Sequence, residues 1–283
     1  MKTQFDLDLE RIIQIGLHED VGSGDHSSLA CIPSSNIGAA RLLVKEKGVI
    51  AGVDFAQRLC KIVDSNLKVD VLIPDGTTVA VGDVVFTVKG SSLSLLKVER
   101  LMLNTMQRMS AIATKTRHFV DLIKGTGTKL LDTRKTTPGI RFLEKWAVRI
   151  GGGYNHRFGL YDMIMLKDNH IDFAGGIHHA IKKTKEYLTA NGLDLDIIVE
   201  VRNFDEIEAV LQHQGVKRIL IDNFSVDDTK IAVDIINGQC ETESSGNIEE
   251  KTIALYAKCG VDYISTGAIT HSVHNLDLSF KAF

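Results

Sequence analysis

Short apolar runs recur through the second half of the chain at intervals of about 20–35 residues, and each ends on a polar or charged cluster. Lys129-Leu130-Leu131-Asp132 runs into Thr133-Arg134-Lys135, and Asp162-Met163-Ile164-Met165-Leu166 runs into Lys167-Asp168-Asn169-His170. Ile197-Ile198-Val199 leads to Glu200-Val201-Arg202, and Arg218-Ile219-Leu220-Ile221 to Asp222-Asn223. Residues 239–243 lead to Ser244-Ser245-Gly246-Asn247, and residues 261–264 to Ser265-Thr266-Gly267-Ala268. Stretches with helical spacing fill the intervals, so the pattern predicts repeated βα units. If the strands close into a barrel, all six polar ends fall on one rim, where barrel enzymes hold their chemistry.

The first hundred residues follow a different pattern. Phe5, Leu7, Leu9, Ile12, Ile13, Ile15 and Leu17 predict a helix over 3–19, stopped by the Gly/Asp turn at 20–25. Residues 38–49 read as β and 53–63 as helix. Short strands follow at 68–73, 77–80 and 84–88, joined by the turns Pro74-Asp75-Gly76 and Val81-Gly82-Asp83. Similar turns occur in lipoyl and biotinyl carrier hairpins, but Lys89 follows its strand instead of capping a tight turn. Residues 95–122 contain no Pro or Gly. Leu101, Met102, Met106, Met109, Ile112 and Ala113 there form a core stripe on a helix that leads to the barrel.

The chain has 283 residues, 44% of them hydrophobic, which suits one large domain or two moderate ones. A net charge of −3 gives no global attraction to nucleic acid or anionic membrane, so a cationic site must be local. No apolar run approaches membrane-spanning length, and residues 1–16 lack the pattern of a signal peptide. A cytoplasmic protein without nucleic-acid or membrane partners is the expectation. Cys31, Cys60, Cys240 and Cys259 are scattered without a CxxC, as expected of buried or half-buried free thiols. His178 and His179 diverge on a helix and are expected at the surface.

Several rim residues have the chemistry of anion recognition. Arg134 can grip a carboxylate with two parallel hydrogen bonds, and Lys135 can hold a diffuse phosphate charge. Pro138-Gly139 turns their loop back over the barrel mouth. Gly151-Gly152-Gly153 ends a helix and lets the backbone pass close to another element. His156 and Arg157 follow and present directional donors. Lys167 is a site group, a solvent exit for its strand, or the Schiff-base lysine of an aldolase. Glu200 and Asp222 can hold ribose hydroxyls, bind Mg²⁺ or stabilise positive charge; the alternative is buried structural acids paired with arginine. Backbone N–H groups at Ser245-Gly246-Asn247 and Ser265-Thr266-Gly267 suit a phosphate in the usual position for a barrel. Arg100, near the start of the long helix, is ambiguous on spacing alone.

Nine stretches, in order, carry a resemblance. They are His18-Glu19-Asp20 with Gly24-Asp25, Glu99-Arg100 with Asn104, Thr133 to Gly139, Gly151-Gly152-Gly153 with Asn155-His156-Arg157, residues 166–170, Glu200-Val201, Asp222-Asn223, Ser245-Gly246-Asn247 and residues 265–268. Together they resemble the quinolinate phosphoribosyltransferase family, most specifically in TRKTTPG and in the NHR and LKDNH pair. The resemblance covers nearly the whole chain. Asn247, where a second glycine is common, and Ile269, where leucine is common, are mild departures that remove no backbone donor.

The resemblance implies an α/β protein: an N-terminal α+β sandwich over 1–112, then an incomplete, type II phosphoribosyltransferase-like β/α barrel over 113–270. The tail, 271–283, is expected to pack back on the first domain. It implies quinolinate and phosphoribosyl pyrophosphate as substrates, Mg²⁺ as cofactor, and nicotinate mononucleotide, pyrophosphate and CO₂ as products. Arg134, His156, Arg157 and Lys167 would hold the two quinolinate carboxylates. Arg100 would join them from a neighbouring subunit of a dimer or hexamer. Lys135 and Lys167 would meet the phosphoribosyl donor, with Thr133 in the same loop. Glu200 and Asp222 would hold the ribose hydroxyls directly or through Mg²⁺, and Ser245, Gly246, Asn247, Ser265, Thr266 and Gly267 would cradle the phosphate. Competing readings are a related phosphoribosyltransferase with another aromatic acid, a Schiff-base aldolase, and a phospho-ligand sensor without catalysis.

Overall fold

The computed structural model describes residues 3–283. It separates into two compact units. The first holds the chain up to Arg117, Thr136–Gly152 and Ile269–Phe283; the second holds His118–Lys135 and Gly153–Ala268.

Helix α1 (Gln4–Val21) starts on a reciprocal cap. The Asp6 N–H donates to Thr3 Oγ1 at 3.2 Å, and the Thr3 N–H donates to Asp6 Oδ2 at 3.0 Å. Then come α2 (His26–Cys31), β1 (Ile37–Val44), β2 (Gly48–Val49) and α3 (Val53–Val63). The first N–H groups of α3 donate to the Asp75 carboxylate at 2.9 and 3.3 Å, which replaces an ordinary N-cap side chain. After β3 (Lys68–Val71), β4 (Thr78–Val79) and β5 (Val84–Ser91), the chain enters the 31-residue helix α4 (Ser92–Leu122). β5 pairs antiparallel with β1 and β3, and β2 pairs with β4. Lys89 lies inside β5, opposite Ala39 and Lys68, and so is not at a hairpin tip. Met102, Met106, Met109, Ile112 and Ala113 of α4 are buried, as the methionine stripe predicts.

The second half alternates strand and helix. β6 (Lys129–Leu131), α5 (Arg141–Ile150), β7 (Ile164–Leu166), α6 (Asp168–Ala174), α7 (Ile177–Asn191) and β8 (Ile197–Val201) come first. They are followed by α8 (Phe204–Leu211), β9 (Arg218–Asp222), α9 (Val226–Ile236), β10 (Glu241–Ser245), α10 (Ile253–Ala257), β11 (Tyr263–Ser265), α11 (Ala268–His271) and β12 (Leu278–Ala282). Six strands form one parallel sheet in the order β6-β11-β10-β9-β8-β7. β6 and β7 do not pair with each other, so the barrel is incomplete. β12 instead pairs antiparallel with β1, at the edge of the first unit's sheet.

Strand alternation sorts the barrel residues into two sets. Ile197, Val199, Val201, Ile219 and Ile221 join the core that contains Ala180, Ile181, Ile207, Val210, Ala232 and Ile236 of the surrounding helices. The intervening positions, Glu200, Arg218, Leu220, Asp222, Glu241, Glu243 and Ser245, are mostly polar and form the barrel's inner face. Burial on both faces explains why β8 reads as a continuous apolar run broken only by Glu200.

In the first unit, α5 ends against α4. A Cβ at Gly151 would stand 2.6 Å from Ala113 O and from Thr116 Cβ, so that position requires glycine. The fully buried Glu144 of α5 accepts Arg108 at 3.0 and 2.8 Å and the Thr137 N–H at 3.2 Å. This anchors the end of the Thr133-to-Gly139 loop that lies beyond Lys135.

No helix among the described residues is long and apolar enough to cross a membrane. The four cysteines are free. Burial pushes the Cys60 thiol up to about 12, and Cys240 and Cys259 are half-buried. Cys31 is exposed, against the expectation of burial, because α2 buries only Ser28.

Candidate active site

The C-terminal ends of the six parallel strands surround one cavity of about 590 Å³ in the second unit. Thr133, Arg134 and Lys135 enter from the loop after β6, and His156 and Arg157 from the segment before β7. Lys167 follows β7 directly, Glu200 lies on β8, and Asp222 ends β9. Ser245 closes β10 and continues into Gly246 and Asn247, while Ser265 closes β11. Met165 and Leu220 supply apolar wall.

Three expected site residues lie elsewhere. Thr266 and Gly267 do not line the cavity. The buried Thr266 hydroxyl accepts the Ala268 N–H at 3.2 Å and donates to Ile248 O at 3.4 Å. Arg100 is exposed on α4 and does not line the cavity either.

The segment carrying His156 and Arg157 is held by carboxylates. Tyr154 bridges to Leu131 and extends the sheet locally. Buried Asp132 accepts the His156 N–H at 2.8 Å and Asn155 Nδ2 at 2.6 Å. Asp162 accepts the Phe158 and Gly159 N–H groups at 2.6 and 2.8 Å. The Arg157 guanidinium is buried and donates to Met163 O at 3.2 Å. Burial, then the charge of Arg134, lowers the Arg157 pKa from its ordinary value, with partial opposition from Asp162. The two arginines repel each other, and an anion bound between them would relieve that repulsion.

Opposite them stands a carboxylate pair. Lys167 Nζ contacts Glu200 Oε2 at 2.7 Å. Burial and then the charge of Glu200 raise the Asp222 pKa, while Lys167 and Lys135 pull it down. Among the described residues no group of three or more His, Cys, Asp or Glu is arranged to hold a metal. Two carboxylates are nevertheless enough for Mg²⁺, which commonly takes its other ligands from water and substrate phosphates.

At the rim, Asn223 after β9 packs against the turn Gly246-Asn247 after β10. Asn223 N–H donates to Ser245 O at 2.9 Å, Asn223 Nδ2 to Asp222 Oδ2 at 2.6 Å, and Asn247 Nδ2 to Asn223 Oδ1 at 3.1 Å. Asn223 and Asn247 adopt left-handed backbone with φ of 59° and 49°. Asparagine tolerates this conformation, which accounts for Asn247 at a position where glycine is also suited. Gly246 has φ 89°, and a Cβ there would lie 2.2 Å from Asn223 Oδ1. Gly246→Ala is therefore expected to cost about 1–3 kcal/mol in chemical denaturation. An unchanged unfolding midpoint would show that the turn tolerates a side chain.

Sequence reading missed the floor. Glu243 is fully buried and Arg218 nearly so. Arg218 donates to Glu243 Oε2 at 2.9 Å and to Glu241 Oε2 at 3.0 and 3.2 Å, with its guanidinium 3.7 Å from the Tyr263 ring centroid. Burial pushes the Glu243 pKa up, but His156, Ser265 and Arg218 outweigh it and hold it below the usual value. The available signal was the alternation Glu241, Glu243, Ser245 along one strand, which places successive polar groups on one face.

Comparison with known proteins converges on one family. The family model for the quinolinate phosphoribosyl transferase C-terminal domain matches residues 112–281, and that for its N-terminal domain matches 25–110. The chloroplastic nicotinate-nucleotide pyrophosphorylase (carboxylating) of Arabidopsis thaliana is 44% identical, over 97% of this chain and 82% of its own length. A probable nicotinate-nucleotide pyrophosphorylase (carboxylating) of Bacillus subtilis is 38% identical, over 96% of this chain and 93% of its own. The crystal structure of NadC from Streptococcus pyogenes superposes with a TM-score of 0.92 at 37% identity, covering 99% of this chain and 98% of that one.

Proposed function

This chain belongs to the quinolinate phosphoribosyltransferase family, and from that premise we propose how its cavity performs the reaction. The enzyme transfers the phosphoribosyl group from phosphoribosyl pyrophosphate to quinolinate, with loss of CO₂, to give nicotinate mononucleotide and pyrophosphate for NAD synthesis. One observation supports this reading most: Arg134, Lys135, Arg157 and Lys167 border the same cavity as Glu200 and Asp222. A dianionic acceptor and an activated sugar need both sets.

The acceptor binds where Arg134 and Arg157 can take its carboxylates, with His156 and Lys167 beside them. Two parallel hydrogen bonds from a guanidinium fix both position and plane. The donor's phosphate takes the turns carrying Ser245, Gly246, Asn247 and Ser265, with Thr266 and Gly267 shaping the second turn. Its pyrophosphate faces Lys135 and Lys167, with Thr133 in the same loop. Glu200 and Asp222 hold the ribose hydroxyls, and with the donor's oxygens they would hold Mg²⁺. The ion when bound supplies charge neutralisation for the pyrophosphate.

As the anomeric carbon–oxygen bond breaks, pyrophosphate leaves with the electron pair and the sugar gains oxocarbenium character. Glu200 and Asp222 favour that positive charge. The pyridine nitrogen donates its lone pair to the anomeric carbon and becomes quaternary. The adjacent carboxylate then leaves as CO₂, and its bonding pair stays on the ring carbon, stabilised by the neighbouring positive nitrogen. A proton at that carbon completes nicotinate mononucleotide. No enzyme nucleophile enters, so the catalytic contribution is positioning and electrostatics.

A competition assay tests the substrate. Turnover of quinolinate, unaffected by equimolar nicotinate, supports the assignment; turnover of nicotinate in preference to quinolinate overturns it. An aldolase is tested by borohydride trapping with a keto-sugar phosphate, which should label neither Lys135 nor Lys167.

The raised Asp222 pKa sets an acid limb. Asp222 must be charged to act, and a raised pKa means that it takes up its proton at higher pH than a free carboxylate. Activity towards the donor should therefore fall on acidification before an ordinary aspartate would titrate. Removing the neighbouring charge in Glu200→Gln should move that limb to lower pH, whatever happens to the rate. An unmoved limb would remove Asp222 from the explanation.

The assembly is a homodimer or a hexamer, in which exposed Arg100 reaches the acceptor of a second copy. Mixed Arg100→Ala and Arg157→Ala subunits should then regain activity through hybrid sites that combine both native arginines. No recovery on subunit exchange would place Arg100 outside the partner's site. A reducing cytoplasm suits the four free cysteines.

A further inference from the structure

Both ring nitrogens of His156 are directed at protein groups. Nδ1 accepts the Arg157 N–H at 2.7 Å. A nitrogen that accepts cannot carry the proton, so the neutral ring is protonated at Nε2. Nε2 stands 3.3 Å from Glu243 Oε2, close enough for the carboxylate to favour a proton on that nitrogen although the contact lacks hydrogen-bond geometry. The same Glu243 oxygen receives Arg218 at 2.9 Å. Arg218 in turn meets Glu241 and the Tyr263 ring. The His156 backbone N–H is held separately by Asp132 at 2.8 Å. The ring is thus addressed from two sides, and the peptide that joins it to Arg157 is fixed by the ring itself.

We infer that Glu243 is a positioning residue for the acceptor end of the cavity, acting through His156 to hold the Arg157 main chain, with Arg218 as its buried counter-charge. The inference rests on the reading of this cavity as a quinolinate and phosphoribosyl pyrophosphate site. The chain of contacts is specific in direction. Glu243 favours the proton on Nε2; that leaves Nδ1 as an acceptor; and the Nδ1 acceptor fixes the Arg157 N–H. If the proton moves to Nδ1, two donors face each other and the Arg157 peptide must turn away. A buried carboxylate alone would be unfavourable at this position, and Arg218 makes it tolerable. Partners that orient a metal-binding histidine typically cost roughly ten- to a hundredfold when replaced, and a loss of the same order is expected here.

The wild-type protein provides the first test. Long-range proton–nitrogen NMR, with His156 assigned by comparison with His156→Gln, should show a neutral ring protonated at Nε2. A ring protonated at Nδ1 or at both nitrogens overturns the inference without any Glu243 variant having to fold. The second test is kinetic. Glu243→Gln keeps an acceptor oxygen and Glu243→Leu does not. Glu243→Leu should raise KM for quinolinate by roughly ten- to a hundredfold and change KM for the phosphoribosyl donor by less than about threefold, with Glu243→Gln intermediate. Equal effects on both substrates, or lost stability with both KM values unchanged, would reduce Glu243 to a structural role and overturn the inference. A wild-type protein with the Nε2 tautomer that releases no CO₂ from quinolinate would fault the substrate reading instead, and would leave the orienting contact supported.

Discussion

Replacing Arg157 by alanine is expected to lower kcat/KM for quinolinate by about a thousandfold, or ~4 kcal/mol, in steady-state kinetics with both substrates varied. The size follows from burial. Arg157 is 8% exposed, it already lacks most of its hydration, and Arg134 pushes against it. A carboxylate placed there gains an attraction that water does not compete for. Arg134 is exposed, so Arg134→Ala should also raise KM for quinolinate more than KM for the donor, but by roughly tenfold. Arg157→Lys should recover only part of the loss, because an ammonium cannot make the paired hydrogen bonds. Equal losses for donor and acceptor in Arg157→Ala would show that this residue serves the whole cavity instead of the acceptor.

Lys167→Ala is expected to lower kcat/KM for both substrates, by roughly a thousandfold for the donor. Lys167 is the cation in direct contact with Glu200, at 2.7 Å, and it also pulls the Asp222 pKa down. Without it, Glu200 and Asp222 keep their mutual repulsion with one cation fewer beside them. Asp222 should then take up a proton at still higher pH, so the variant's acid limb should lie at higher pH than that of wild type. Lys167→Arg tests charge against shape: it should restore the pH profile more fully than the rate. A Lys167→Ala enzyme with a normal donor KM would break the proposed link between Lys167 and the leaving group.

The fold was legible where strand pattern and strand ends agree. Each of the six segments became one of the parallel strands, although residues 239–243, Gln-Cys-Glu-Thr-Glu, are polar and not apolar like the other five, and Arg134, Lys167, Glu200, Asp222 and Ser245 follow from those strands ending on polar residues. Less legible were groups whose meaning depends on register. Arg218 and Glu243 lie on adjacent strands that are paired so that Arg218 is opposite Glu241, and only that pairing brings one guanidinium to both glutamates. Nothing local in Arg218-Ile219-Leu220-Ile221 distinguishes an interior arginine from a charge at a strand's start. The split at Ser265 and Thr266 has a similar cause: Ser265 ends β11 at the cavity, and Thr266 spends its hydroxyl on Ala268 and Ile248. Residues 136–152 cluster with the first unit because Glu144 and Gly151 pack on α4, a preference that the amphipathic pattern of α5 cannot express.

The partial charges of the cavity also explain why composition was uninformative about function. A net charge of −3 conceals basic residues gathered at one end of a barrel and acidic ones a few ångströms away. Local concentration, not total charge, selects a polyanionic substrate pair.

The most direct measurement uses quinolinate labelled in the carboxylate next to the ring nitrogen, with captured CO₂ and released pyrophosphate counted together. Wild-type enzyme should release the two in equal amounts, and only when phosphoribosyl pyrophosphate is present. Pyrophosphate without CO₂, or CO₂ without the donor, would contradict a cavity that couples the loss of a carboxylate to the formation of a quaternary pyridine nitrogen.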